Sequence, residues 1–304
     1  MSSPRHVFRP LILLSSVCGT LPYTTNLKFS SLLLICCVFI NSVPPIYMLY
    51  SAFQSLKAIH HIPANDTLLH VAKIISFLAC MANLYFLFRC REKFLLILRE
   101  FEDIHKFLKV SSAGLQKPRR HVQLIIYTIC TSAWALTMLN IAVKPHKFNF
   151  SSLISLANYL TVATALQSLG TQFLSFSILI LFYLKHTNCK IAQLQKLYLA
   201  CNSNKIVSEK IDDLRAAHNK LCDNARLVNR VYGIYLLLPL IYISIHLQMD
   251  IFQIVRNIID CVTGFPYDQL GGAEWLITIM WIISDINKLC TFFIVSYLVR
   301  LEVK

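Results

Sequence analysis

The sequence predicts an all-α fold, a polytopic helical membrane protein with six transmembrane spans and a cytosolic N-terminus. Three observations carry this expectation. Hydrophobic residues make up 56% of the 304 and charged residues only 14%, whereas soluble domains carry about a quarter charged residues. Mean hydropathy is +0.57. Long apolar runs recur along the chain, each close to the ~20 residues needed to cross a bilayer. The 29 Lys and Arg residues lie almost entirely in alternate connections between those runs, which is where the positive-inside rule places cytosolic bases.

The elements follow in order. Residues 1–28 hold Arg5, Arg9 and Lys28. The short apolar core at 11–17 has the look of a signal peptide, but Arg9-Pro10 before it and Pro22 after it suit a cytosolic entry helix equally well. The first span is 29–50, without a charge, and Pro44 and Pro45 mark its expected outer end. The loop 51–67 carries the sequon Asn65-Asp66-Thr67. The second span is 68–88; Lys73 near its start reads as a snorkelling interface residue. Nine bases follow in 89–120, where Phe94, Leu95, Leu98, Phe101, Ile104, Phe107 and Leu108 recur at helical spacing. That spacing predicts that the second span continues as a helix below the membrane.

The third span is 121–143, followed by a short loop with a second sequon at Asn149-Phe150-Ser151. The fourth span is 155–184, in an apolar run longer than a crossing needs. Nine further bases lie in 185–230. The stretch 211–248 then changes character. Its first half is amphipathic, with Ile211, Leu214, Leu221, Ala225, Val228 and Tyr232 on one stripe. Its second half, the fifth span at 231–251, is apolar on every face. One helix should therefore rise from a basic aqueous layer into lipid, kinked at Pro239. The loop 252–273 has Arg256 as its one base and turn signals at Phe265-Pro266-Tyr267-Asp268 and Gly271-Gly272. The sixth span is 274–299. The side shared with the N-terminus collects 23 bases and the other side 4, with Lys73 and Lys288 inside spans. Both sequons fall on the base-poor side, which agrees with an extracellular assignment for Asn65 and Asn149 and predicts that both are glycosylated.

Several chemistries are disfavoured. A basic chain can bind nucleic acid, but here the bases sit in short connections between spans, so no nucleic-acid partner is expected. Eleven cysteines include no CxxC pair, and His218 with Cys222 is a two-ligand spacing better read as helix packing. No metal or cofactor is expected. No Ser/His/Asp arrangement, Gly-rich phosphate loop or HExxH occurs, and no enzyme is expected.

Polar and aromatic side chains in the outer halves of the spans are the candidate ligand-binding residues: Trp134, Asn140, Gln167, His246, Thr278 and Trp281. Small-molecule pockets combine a few placed polar groups with aromatic walls, and amides facing lipid are costly. Span-end aromatics also serve as interface anchors, the better reading of Trp275. Asp285 and Lys288 stand i, i+3 in the sixth span, one turn apart on one face. Each alone would cost roughly 2.5–3.5 kcal/mol at a span centre, so an intramembrane ion pair is expected, as a packing lock or a gate element.

Leu214-Arg215, His218, Leu221-Cys222-Asp223, Val228-Asn229 and Tyr232-Gly233 resemble the pattern leading into the fifth helix of insect gustatory receptors. Phe8-Arg9-Pro10-Leu11, Gly19 and Pro22-Tyr23 add a weaker match near the N-terminus. The resemblance implies a seven-helix chemosensory receptor of the plasma membrane, a tastant-gated non-selective cation channel assembled as a homo- or hetero-tetramer with other gustatory receptor subunits. The insect odorant receptors are the nearest alternative. A transporter, or an intramembrane enzyme using Asp250 or Asp285, are alternatives of other classes. The family's last helix carries Thr-Tyr, five apolar residues, then Gln-Phe. Residues 291–299 fit that motif poorly, with Leu298 where Gln is expected, so the seventh helix is expected to be missing.

Overall fold

The computed structural model describes residues 5–17, 21–23, 28–58, 64–108, 110, scattered positions between 116 and 139, 150–200, 205–263 and 272–303. Seven helices are delimited among them: α1 (Arg5–Val17), α2 (Ser31–Ala58), α3 (Ala64–Arg89), α4 (Arg91–Leu108), α5 (Phe150–Ala200), α6 (Lys205–Thr263) and α7 (Gly272–Val303). The described positions between 116 and 128, and Ala135 and Leu139, are helical as well. One isolated antiparallel bridge joins Tyr23 to Phe29. The all-α expectation therefore holds.

Three described helical stretches are long and apolar enough to cross a membrane: Gln167–Lys196, Val207–Ile259 and Trp275–Val303. The bent pair α3–α4 makes a fourth if counted as one broken span, and Ser31–Tyr47 is a shorter apolar stretch.

Helix lengths exceed the expected spans. α5 has 51 residues and α6 has 59, which at ~1.5 Å per residue is about 75 Å and 88 Å. Both greatly exceed a hydrocarbon core of ~30 Å, so each continues far outside any membrane it crosses. The single helix expected over 211–248 is present within α6, and Pro239 sits inside that helix without interrupting it. α2 runs on past Pro44 and Pro45 to Ala58 instead of ending at them. Neighbouring helices and local adjustments can re-satisfy the backbone groups that proline frees.

Two further boundaries differ from the sequence reading. Asn65 lies in the first turn of α3, not in a loop. The helix of the second span does not run straight on: the chain turns by 63° between α3 and α4. α4 carries eight charged residues in eighteen and by itself is not apolar enough to count as a span. Its apolar face, Phe94, Ile97, Leu98, Phe101, Ile104 and Leu108, is buried, and the turn is what brings that face onto the bundle.

α5 is the central helix. From Ser168 to Leu184 it is buried on nearly every side. Phe8, Leu11 and Ile12 of α1 are fully buried, so α1 is an integral packing element, in line with an entry helix. Aromatic rings join four helices: Phe176 of α5 lies 5.0 Å from Phe8, 5.4 Å from Phe94, 6.0 Å from Phe101 and 5.9 Å from Tyr232, by ring centroids. A buried polar chain crosses the same region. Gln172 Nε2 donates to Ser15 Oγ at 2.9 Å, and Tyr232 Oη donates to Gln172 Oε1 at 3.0 Å. Burying an amide is tolerable because both its ends are bonded.

The lower ends of the helices are clamped together. Lys190 Nζ donates to the Leu108 carbonyl at 3.1 Å, Lys220 pairs with Glu100 at 3.0 Å, and Asn188 Nδ2 donates to Glu302 Oε2 at 3.1 Å. Tyr183 Oη and His105 Nδ1 are 3.1 Å apart, both residues buried. Burial holds the His105 imidazole below its ordinary pKa of 6.5, because the charged ring loses hydration it cannot replace.

Candidate functional site

α7 packs against both α5 and α6, and the polar residues of the bundle converge on its middle. Lys288 Nζ donates to Asp285 Oδ1 at 2.7 Å, and each side chain is only 7% exposed. The i, i+3 spacing puts the pair on one face of a regular helix, as the sequence predicts. The Lys288 ammonium also stands 5.9 Å from the Trp281 ring, a position where the ring quadrupole attracts it.

The far side of the pair faces α6. His246 and Asp250, one turn apart, both lie within the field of the Asp285 carboxylate, and His246 also within that of Lys288. The His246 ring sits 4.4 Å from Tyr242. Two titratable side chains of α6 thus lie within electrostatic reach of the ion pair on α7.

A cavity of about 770 Å³ opens on the near side of the pair. Its α7 wall is a stripe at helical spacing: Met280, Ile283, Ser284, Asn287, Lys288 and Thr291. The opposite wall comes from the third apolar run, with Leu124, Ile125, Thr128, Ala135 and Leu139. The lining is mainly apolar, with Lys288, Ser284 and Asn287 grouped on the α7 wall. Thr291 Oγ1 already donates to the Asn287 carbonyl at 2.7 Å. Such a space can hold a mostly apolar small molecule and orient it by one polar end.

The candidate residues divide as follows. Asp285 and Lys288 are brought together, and Lys288 lines the cavity. Thr278 is buried and Trp281 half-buried on α7, His246 is half-buried on α6, and Gln167 is half-buried on α5 with its Oε1 buried and without a hydrogen-bond partner. None of these four lines the cavity. Trp134, Asn140 and Asn149 lie outside the described residues. Ser284, Asn287 and Met280 were missed by sequence reasoning. The signal existed: with Lys288 and Thr291 they form one i, i+3, i+4 stripe, whereas the search weighed single polar and aromatic residues and not a common face. No group of three or more His, Cys, Asp or Glu that could hold a metal occurs among the described residues.

Among known families, the one described as 7tm chemosensory receptor matches residues 8–304. No curated protein matches the chain.

Proposed function

The chain belongs to the 7tm chemosensory receptor family, and from that premise we propose that it is a taste receptor of the plasma membrane, a subunit of a tastant-gated, non-selective cation channel. The observation that carries the reading is the cavity beside α7 with Lys288, one member of a buried ion pair, in its wall. A ligand seated there touches Lys288, whose ammonium is bound to Asp285 one turn away on the same helix. Binding can bias the position of that helix only through a difference in affinity between two positions, and a charged lysine at the cavity wall supplies a contact sensitive to such a shift. The outer-half residues Gln167, His246, Thr278 and Trp281 belong to the same proposal, as groups that a ligand meets on its entry path to the cavity.

The proposal includes orientation and assembly. The 23 to 4 division of bases and the position of Asn65 and Asn149 on the base-poor side support a cytosolic N-terminus. The assembly is a homo- or hetero-tetramer with other subunits of the family. The test is calcium imaging of cells that display this chain together with such subunits, challenged with a panel of sugars, bitter compounds and volatile odorants. The account expects calcium entry evoked by tastants. Substrate accumulation without calcium entry would indicate a transporter, and responses confined to volatiles an odorant receptor.

A further inference from the structure

The cavity beside α7 has a chemical preference that follows from its charges. Lys288, the only ionic group among the described residues of its wall, is already paired with Asp285 at 2.7 Å, and both side chains are 7% exposed. Paired in this way, Lys288 leaves no net charge at the described wall. An anionic ligand would gain attraction from Lys288 and lose it to repulsion from Asp285, while its own dehydration goes uncompensated. A cationic ligand would meet the lysine ammonium first. A lysine has three N–H donors, one of which is on Asp285. Ser284 and Asn287 add a hydroxyl and an amide on the same wall. The remaining described lining, from Leu124, Ile125, Ala135, Leu139, Met280 and Ile283, is apolar apart from the hydroxyls of Thr128 and Thr291.

Resting on the reading of the chain as a small-molecule receptor, we propose that this cavity takes an uncharged, mainly apolar molecule of drug-like size whose one polar end is a hydrogen-bond acceptor, an ester or ketone, seated on Lys288, Ser284 and Asn287. The apolar body supplies affinity by burial. The acceptor supplies orientation, because leaving the further donors of the buried Lys288 ammonium unmatched is costly.

The experiment uses the purified full chain in phosphatidylcholine nanodiscs and one tricyclic skeleton, abietane, in four forms: methyl ester, carboxylate, amine and unsubstituted hydrocarbon. Binding is read by thermal stabilisation and by displacement of radiolabelled ester. The ester should bind at least tenfold more tightly than each of the other three. Ser284→Phe, which fills the cavity, and separately Asn287→Leu, which removes a donor without filling it, should each weaken ester binding at least tenfold while leaving ligand-free stability unchanged. Adding sterol to the discs should not displace the ester. Equal binding of the hydrocarbon, tighter binding of the carboxylate or amine, indifference to both substitutions, or displacement by sterol would each overturn the assignment. Ester binding without an evoked current in cells would leave the ligand class standing and remove the channel reading instead.

Discussion

Gly170 and Phe292 meet where α5 crosses α7: a Cβ built on Gly170 would stand 2.5 Å from Cζ of Phe292. Glycine is required here by space and not by backbone conformation. Phe292 is itself buried and stacks on Phe173 at 6.4 Å between centroids, so its ring cannot simply swing away. Gly170→Ala should cost about 1–3 kcal/mol through overpacking. Phe292→Leu, which removes the clashing atom, should restore part of that loss in the double variant. Thermal denaturation of the four proteins measures the coupling; strictly additive effects would mean the two residues do not touch.

The Asp285–Lys288 pair gives a second double-variant test. Removing one member of a buried pair leaves an uncompensated charge and typically costs 3–5 kcal/mol, about what unfolds a marginal protein. Asp285→Asn and Lys288→Gln should each reduce surface expression sharply. The double variant should recover much of it. A double variant no better than the worse single one would show that the two groups do not neutralise each other.

The Ser15–Gln172–Tyr232 chain gives a third. Gln172→Leu deprives two buried hydroxyls of a partner and should cost about 1–3 kcal/mol. Tyr232→Phe with Gln172→Leu should be milder than the sum of the two single effects. Detergent-solubilised melting temperatures decide this.

A pH dependence follows from His105. Its pKa is held below 6.5 by burial, so the unfolded chain takes up a proton more readily than the folded one. Stability is then full above pH 6.5 and falls as the pH drops below it. The melting temperature should decline between pH 7 and pH 5, and His105→Phe should flatten that decline. A wild-type melting temperature that rises over the same interval would contradict the burial of a neutral imidazole.

Much of this architecture is legible in the residues. The change from amphipathic to uniformly apolar character along 211–248 announces one long helix, and α6 is that helix. The i, i+3 pairing of Asp285 with Lys288 follows from helical geometry alone, since both partners lie on one element. What involves two elements is harder to read. The 63° turn between α3 and α4 is invisible to periodicity, because both sides of Cys90 carry a valid helical pattern. Pro44 and Pro45 look like a terminus, yet α2 passes through them. The cavity wall at Ser284 and Asn287 acquires meaning only once the third apolar run is placed opposite it. Gly170, an unremarkable glycine in an apolar run, is explained only by the ring of Phe292.

The most direct test of the central claim is whole-cell recording from cells displaying the chain with subunits of its family, with surface display measured in parallel for the receptor and for Ser284→Phe. The account predicts a tastant-evoked cation current without selectivity between sodium and potassium, and a dose–response curve displaced at least tenfold by Ser284→Phe at equal surface display. An evoked current whose dose–response curve is identical in the two proteins would separate the cavity from gating, and a displayed receptor that gives no evoked current to any tastant would contradict the channel itself.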